Sequence, residues 1–215
     1  MSRKINFAEG EFYHLYNRGV EKRPTFFHIS DYKRFIMLLY FANQVAPIDI
    51  SQRGWTVDDI GRHRDGEPLV DISAYCLMTN HYHLLIREKK QGGISKFMHK
   101  FSTGYMMYMN QRYKRSGALF EGRFKAKHVD SDRYLAYLVA YIHLNPVKNV
   151  EPTWKKTGIW DKRKAEQYLG TYQYSSYLDY LGLDRKEAAI LSKGSIPEYF
   201  TQGMDFKRFV AEWLQ

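Results

Sequence analysis

The spacing of apolar and polar residues along the chain predicts a mixed α+β fold. Four segments have the alternation and aromatic content of strands, and they lie at 12–17, 70–78, 81–86 and 119–129. Three segments carry apolar residues with a helical period, and they lie at 31–45, 94–114 and 132–144. Ser30 and Ser131 are the expected N-caps of the first and third helices. A loop or hairpin insertion is expected at 47–68, and short helical segments are expected near 184–191 and 205–214.

The order of these elements, β-α-β-β-α-β, is that of a ferredoxin-like split βαβ sandwich. This α+β fold has one central antiparallel sheet with two helices on one face, so the third helix is expected to lie elsewhere. At 215 residues the chain is long enough for one substantial core with an appended part. We expect a domain over 1–150 and a helical C-terminal extension over 151–215, packed on or beside it.

The segment from Asn80 to Ile86 carries the clearest chemical signal, because two histidines stand two residues apart in a strand. A strand has a side-chain period of two, so His81 and His83 should project from the same face. Tyr82, Leu84 and Ile86 should then occupy the opposite face. Two neighbouring imidazoles on a rigid strand can hold a divalent metal ion. Spacing alone leaves a hydrolytic zinc site and simple core packing open.

The net charge of +10 is large for this length and is unevenly distributed. Residues 94–127 hold eight Lys or Arg against one acidic residue, and aromatic residues are interleaved with them. Such a basic and aromatic stripe favours binding to a nucleic acid whose bases can stack, although a solvated basic face remains the alternative. The single cysteine, Cys76, excludes an internal disulfide and a multi-cysteine zinc site. With no secretory signal or apolar span in the sequence, we expect an intracellular protein.

The third predicted helix presents a row of tyrosines beside its apolar face. At 100° per residue, Tyr134 and Tyr137 fall near +20° and −40° relative to Tyr141, and Asn145 falls near +40°. Pro146 disfavours helical geometry at Asn145, so the helix should end there. Tyrosine rows are common at helix flanks because the ring packs while the hydroxyl stays hydrated. From the residues alone, a nucleophilic role for Tyr141 stays open.

Several motifs, in this order and spacing, resemble the single-tyrosine HUH transposases, in particular the REP-associated tyrosine transposases. The name HUH denotes histidine, a bulky apolar residue and histidine, which His81-Tyr82-His83 matches. The other matching segments are Tyr16 to Gly19, Tyr75 to Leu85, Ser116 to Phe124, Tyr141 to Lys148 and Tyr174 to Tyr177. The resemblance covers roughly residues 10–180, and the ordered set is far more specific than a lone HxH.

The resemblance implies an HUH fold in which the third helix carries the nucleophile, here Tyr141. It also implies that His81, His83 and Asn145 bind a divalent ion, for which we expect Mg²⁺ or Mn²⁺. Relatives often have glutamine where Asn145 stands, and asparagine is one methylene shorter. Lys148 is a candidate to stabilise the phenolate or the leaving oxygen. His14 is expected to be a hydrogen-bonded structural histidine, and His143 is expected to point away from Tyr141.

The implied reaction is cleavage and rejoining of single-stranded DNA through a 5′-phosphotyrosyl link, at an imperfect hairpin. The implied partner is therefore single-stranded DNA with a hairpin, and no membrane partner is expected. The protein is expected to be a monomer or a homodimer. Its expected location is the bacterial cytoplasm, in association with the nucleoid. The residues expected to hold the DNA are Asn17, Arg18, Lys96, Lys100, Arg112, Lys114, Arg115, Arg123, Lys125, Lys127 and Lys148.

Two alternative functions compete with this interpretation. The first is a DNA hairpin-binding protein that has lost cleavage. The second is a metal-dependent nuclease whose histidines activate water, which would leave Tyr141 without a role.

Overall fold

A computed structural model of the chain describes residues 5–47, 50–63, 66–197 and 203–213. Within them, four strands form: β1 (Phe12–Arg18), β2 (Val70–Met78), β3 (His81–Glu88) and β4 (Lys125–Val129). The α-helices are α1 (Ile29–Phe41), α2 (Ile50–Arg53), α3 (Gly93–Arg112), α4 (Asp132–Leu144), α5 (Trp154–Thr157), α6 (Lys162–Leu169), α7 (Tyr177–Tyr180) and α8 (Gly203–Glu212). Short 3₁₀ helices lie at Val20–Lys22, Val57–Asp59, Asn145–Asn149, Lys186–Ile190 and Lys193–Ser195.

The four strands form one sheet in the order β2-β3-β1-β4, and every neighbouring pair is antiparallel. This is the strand order of the split βαβ sandwich, so the predicted fold is confirmed. In the register, Tyr16 on β1 lies opposite His83 on β3 and opposite Lys125 on β4. Residues opposite each other in an antiparallel pair share a face, so this row places Lys125 on the same face as the histidines.

Each face of the sheet carries its own core. On one face Tyr82, Leu84 and Ile86 pack with Phe35 of α1 and Phe101 of α3. The expectation that two helices share this face is therefore correct.

The opposite face is covered by α4 and by the C-terminal part of the chain. Leu85 packs there with Leu138 and Ile142 of α4 and with Phe206 of α8. The backbone N–H of Leu77 donates to the carbonyl of Tyr174 over 2.9 Å. Residues after 150 thus close the face from which His81 and His83 project.

Three local predictions differ from the structure. The first helix begins at Ile29 with His28 as its N-cap, because the Asp31 carboxylate accepts the backbone N–H groups of Phe27 and His28, over 2.8 and 2.9 Å. Only Lys125–Val129 of the predicted strand 119–129 is a strand, because Gly122 has a φ of 80° just before it. Asn145 keeps helical angles, φ −53° and ψ −38°, before Pro146.

The predicted loop at 47–68 is more helical than the sequence indicated. It contains α2 and the 3₁₀ turn Val57–Asp59, while its residues 48, 49, 64 and 65 lie outside the described residues. The two short helical segments predicted after residue 180 are present. A 3₁₀ helix, Lys186–Ile190, lies within 184–191, and α8 overlaps 205–214, whose last residue is not among the described ones. None of the described helices is long and apolar enough to cross a lipid bilayer.

Candidate active site

Two strands bring three imidazoles together on the α4 side of the sheet. The rings of His81 and His83 on β3 lie 5.1 Å apart between centroids, so the two side chains share a face as predicted. His14 on β1 lies on the same face, with its Nε2 atom 2.9 Å from Nδ1 of His83. His14 is hydrogen-bonded as expected, and its partner is one of the candidate ligands.

Hydrogen bonds to Nδ1 orient both candidate metal-binding histidines. The amide oxygen of Asn80 accepts from Nδ1 of His81 over 2.7 Å, which leaves Nε2 of His81 with its lone pair. If His83 donates from Nδ1 to Nε2 of His14, its own Nε2 is likewise unprotonated. A second partner on the non-ligating nitrogen is the usual way in which proteins orient a metal-binding histidine.

The three imidazoles are held neutral. Burial, reinforced by the charge of Lys127, lowers the pKa of His14 to about 4. Burial and the charge of Lys155 lower the pKa of His81 to about 4, and burial together with His14 and His81 lowers the pKa of His83 well below its usual 6.5. Neutral imidazole is the form that binds a metal ion, so near neutral pH no proton has to leave before binding.

The hydroxyl of Tyr141 is held beside these histidines by a lysine from the C-terminal extension. The ring of Tyr141 lies 5.5 Å from the ring of His83 and is nearly perpendicular to it. Nζ of Lys155, on α5, donates to Oη of Tyr141 over 2.8 Å and to Oδ1 of Asn145 over 3.0 Å. Nδ2 of Asn145 donates to the carbonyl of Tyr141 over 2.7 Å. Tyr141, Asn145 and Lys155 therefore form one hydrogen-bonded group.

Burial shifts the pKa values of this group toward the uncharged forms. Burial raises the pKa of Tyr141 above 10, although a hydrogen bond from Asn145 opposes the shift. Partial burial lowers the pKa of Lys155, although the residue as a whole is exposed. A Tyr141 hydroxyl with a raised pKa needs a nearby positive charge to ionise, and Lys155 supplies one.

Lys155 was not predicted from the sequence, which pointed to Lys148 for this role. Lys148 is exposed, and it acts on the site through its charge, which lowers the pKa of His81. Lys155 lies on a helix of four residues in a turn-rich segment, so no periodicity marks it.

The donor atoms present fit a divalent ion. Two neutral imidazoles and the Asn145 amide oxygen form a nitrogen and oxygen set of the kind that binds Mg²⁺, Mn²⁺ or Zn²⁺. Among the described residues, no group of three or more His, Cys, Asp or Glu is arranged to hold a metal. The Asn145 amide or water molecules must therefore complete the coordination of a bound ion. In this structure Oδ1 of Asn145 accepts a hydrogen bond from Nζ of Lys155.

The residues predicted to bind DNA divide between the two sides of the sheet. Lys125 and Lys127 are exposed on β4 and share the face of the histidines, as the register shows. Nζ of Lys127 lies 4.4 Å from the centroid of the Tyr134 ring. The α3 residues lie on the opposite side, because α3 packs on the other face. The basic stripe is therefore not one continuous surface around the site.

Several of these basic or polar residues also have partners within the protein. The amide of Asn17 is buried and donates to the carbonyl of Gly122, and Arg18 pairs with Glu121 over 3.1 Å. Lys100 donates to two backbone carbonyls, those of Gln44 and Ala46. Partners are also present for Arg112, with Asp31 at 3.6 Å, and for Arg115, with the carbonyl of Ala118 at 3.2 Å. The side chains of Arg18 and Arg112 are exposed although they are paired, and those of six other predicted DNA-binding residues are also exposed: Lys96, Lys114, Arg123, Lys125, Lys127 and Lys148.

Known proteins were compared with the chain on both sequence and fold. A model of the family described as IS200-like transposase matches residues 57–145, a segment that contains His81, His83, Tyr141 and Asn145. A solved structure of a REP-associated tyrosine transposase bound to a REP hairpin matches the fold with a TM-score of 0.52 at 12% identity, and the match covers 87% of this chain and 90% of that one. The resemblance to the tyrosine transposases is confirmed. No curated protein matches the chain in sequence.

The two matches complement each other. The family match spans the segment from Val57 to Asn145, which is less than half of the chain. The structural match covers 87% of this chain, and at 12% identity it concerns the fold. Tyr141 in this tyrosine transposase fold lies where the histidine face of the sheet meets α4.

Proposed function

We propose that this protein is a metal-dependent single-stranded DNA endonuclease and strand transferase that uses Tyr141 as its nucleophile. The observation that carries the proposal is the hydroxyl of Tyr141, held by Lys155 at 2.8 Å beside two neutral histidines on one strand. This arrangement supports attack on a phosphodiester better than it supports either alternative. A hairpin binder that had lost cleavage has no need of it, and a hydrolase that activates water leaves the Tyr141–Lys155 pair without a role.

Lys155 compensates for the low fraction of ionised tyrosine at neutral pH, which is the main chemical difficulty of a tyrosine nucleophile. At an ordinary pKa near 10, only about 0.1% of a tyrosine is phenolate at pH 7. Burial raises the pKa of Tyr141 further, so the free hydroxyl would be a poor nucleophile. The ammonium of Lys155 donates to the same oxygen, and it therefore stabilises negative charge on Oη as the proton leaves.

The reaction is a transesterification in which the bond count is conserved. Oη of Tyr141 forms a bond to the scissile phosphorus, and the bond between that phosphorus and the 3′ oxygen breaks. The tyrosyl proton leaves to solvent, and the departing oxygen takes up a proton to become a free 3′-hydroxyl. The 5′-phosphotyrosyl link retains the energy of the phosphodiester, so the reverse attack by a 3′-hydroxyl rejoins strands without ATP.

His81, His83 and Asn145 are the residues that would hold the divalent ion, Mg²⁺ or Mn²⁺. When bound, the ion would supply a Lewis acid that polarises the phosphate and neutralises charge on it. Asn80 and His14 hold the two imidazoles in orientation through Nδ1. Asn145 also fixes the end of α4 by donating to the carbonyl of Tyr141, so one amide serves both the ion and the nucleophile.

The substrate we propose is single-stranded DNA that carries a hairpin, as in the REP hairpin bound by the structurally similar transposase. Lys125 and Lys127 on β4 are exposed and lie on the face of the site, and Arg18 on β1 lies opposite His81 in the sheet. With such a substrate, the location we propose is the bacterial cytoplasm, at the nucleoid. Whether the active form is a monomer or a homodimer is decided by its mass in solution with the DNA bound.

The proposal is tested by incubating a hairpin with single-stranded arms with the protein and Mg²⁺ or Mn²⁺, and then separating the products under denaturing conditions. We expect a covalent protein–DNA adduct that is absent in Tyr141→Phe. Tight binding without cleavage would instead identify a hairpin-binding protein. Cleavage that persists in Tyr141→Phe would identify a nuclease that activates water.

A further inference from the structure

We propose that an aromatic cleft beside α4 binds an unstacked base of the DNA strand that Tyr141 attacks. The cleft is lined by Ser131, Arg133, Tyr134, Tyr137 and Trp213 and has a volume of about 340 Å³. This inference rests on the proposed function for the identity of its occupant, and it goes further by assigning a role to the tyrosine row of α4. The chemical class of the ligand is single-stranded nucleic acid.

The tyrosines form a continuous row of stacked rings that ends at the nucleophile. The centroids of Tyr134 and Tyr137 lie 6.2 Å apart, with an angle of 18° between the ring planes. The centroids of Tyr137 and Tyr141 lie 5.7 Å apart, with an angle of 27°. Trp213, from the end of the described chain, meets Tyr137 edge to face at 5.5 Å.

These rings are open to solvent, unlike the aromatic residues of the two cores. Tyr137 is 42% exposed and Trp213 is 36% exposed, whereas Tyr82 and Tyr105 on the opposite face are fully buried. Exposed aromatic side chains that converge on one cleft are an unfavourable surface unless a ligand covers them. Each base has a flat apolar face, so stacking on such rings does not require a particular sequence.

The charges around the cleft match a nucleotide rather than an apolar ligand. The guanidinium of Arg133 lines the cleft and is exposed. Nζ of Lys127 lies over the Tyr134 ring at 4.4 Å, and Nζ of Lys155 lies over the Tyr141 ring at 4.2 Å. The row of rings thus has a cation at each end, where the phosphates of a bound strand would pass.

The distance from the cleft to the nucleophile suits a neighbouring nucleotide. Tyr137 and Tyr134 precede Tyr141 by four and seven residues, which is about 6 Å and 10 Å along a helix at 1.5 Å per residue. A base in the cleft therefore belongs to a nucleotide only one or a few positions from the phosphate at Tyr141. Stacking there would hold the strand on both sides of the reacting group.

The experiment measures DNA binding in the Tyr141→Phe protein, with EDTA present, so that neither cleavage nor a bound metal contributes. The probe is fluorescein-labelled oligothymidine, read by anisotropy. Because stacking contributes about 1–3 kcal/mol per base, we expect Tyr137→Ala to raise the Kd about 5- to 150-fold. Tyr137→Phe keeps the ring and should stay within about twofold of the parent.

Trp160→Ala is the matched control, because Trp160 is 84% exposed and lies outside the cleft. It should leave the Kd unchanged. Circular dichroism melts establish that each variant is folded. A second measurement needs no variant in the cleft: oligothymidine with one iodouracil is photocrosslinked to the protein, and the modified peptide is identified. We expect the crosslink on Tyr134, Tyr137 or Trp213.

An unchanged Kd in folded Tyr137→Ala, or crosslinks confined to other parts of the protein, would overturn the proposal that the cleft binds a base. The two proposals fail separately. If wild-type protein forms no adduct but Tyr137→Ala still weakens oligothymidine binding, the cleavage function is wrong and the cleft stands. If the adduct forms at Tyr141 while Tyr137→Ala binds as tightly as the parent, only the cleft is wrong.

Discussion

Replacing Lys155 by methionine tests whether this residue assists the nucleophile. The change removes the ammonium that donates to Oη of Tyr141 over 2.8 Å and to Oδ1 of Asn145 over 3.0 Å. It retains an unbranched side chain of similar length over the Tyr141 ring. Hydrogen bonds to charged groups contribute about 1.5–3 kcal/mol, and the exposure of Lys155 favours the lower half of that range. A loss of about 2 kcal/mol in the transition state slows adduct formation about 30-fold at pH 7.

The pH profile of the same variant separates a chemical role from a structural one. Without the ammonium, the pKa of Tyr141 rises further, so adduct formation in Lys155→Met should recover as the pH is raised toward the tyrosine pKa. Lys155→Arg keeps the positive charge and should retain more activity than Lys155→Met at pH 7. Lys156→Met is the matched control, because Lys156 is the exposed next residue of the same helix.

The measurement is the single-turnover rate of covalent adduct formation with saturating hairpin DNA. A rate in Lys155→Met equal to that of wild type and of Lys156→Met would refute the role assigned to Lys155. A uniform loss at every pH, together with a lowered melting temperature, would show that Lys155 acts only by packing α5 on the site.

Three further predictions follow from the site and the fold. Chelation by EDTA and the variant His83→Ala should each abolish adduct formation, while hairpin binding, measured by gel shift, persists. Loss of a residue that only supports a metal ligand lowers activity roughly 10- to 100-fold, and the loss of activity in His83→Ala should be larger. Burial lowers the pKa of His143 to about 4. Below pH 6.5, the ordinary histidine pKa, the unfolded chain therefore binds a proton that the native protein does not. The free energy of unfolding decreases as the pH is lowered from 6.5 toward 4. Urea titrations at pH 6.5 and pH 5 should show a drop in the free energy of unfolding that is about 1.5 kcal/mol smaller in His143→Gln; equal drops would contradict this. A Cβ at Gly19 would collide with the carbonyl of Arg23, so Gly19→Ala should cost about 1–3 kcal/mol of stability in urea titrations, whereas Gly194→Ala, which meets no atom within 4 Å, should be near neutral.

Local patterns were sufficient to predict the sheet and the four longest of the described helices, α1, α3, α4 and α8. Alternation over β3 placed His81 and His83 on one face and Tyr82 on the other, because strand geometry leaves no other arrangement. The helical angles of the tyrosines gave the stacked row on α4 for the same reason. His143 is turned away from Tyr141, as predicted, and its ring nitrogens bond to the carbonyl of Val139 and the hydroxyl of Ser176.

The rest of the site depends on contacts between residues far apart in the chain. His14 meets His83 across 69 positions, and Lys155 reaches Tyr141 from a helix too short to show a period. The rule that a residue before proline avoids helical angles was wrong at Asn145. Pro146 there stands at the first turn of a 3₁₀ helix, where its missing N–H costs nothing and its φ suits the turn.

The most direct test of the account is to identify the residue that becomes joined to DNA. Wild-type protein is incubated with hairpin DNA and Mg²⁺, digested with nuclease and trypsin, and analysed by mass spectrometry. Cleavage after Arg133 and Lys148 releases one peptide that contains Tyr134, Tyr137 and Tyr141, so fragment ions must locate the nucleotide within it. We expect a 5′-phosphonucleotide on Tyr141 alone, and we expect it to be absent in Tyr141→Phe. A nucleotide on Tyr134 or Tyr137, or cleaved DNA without any protein adduct, would contradict it.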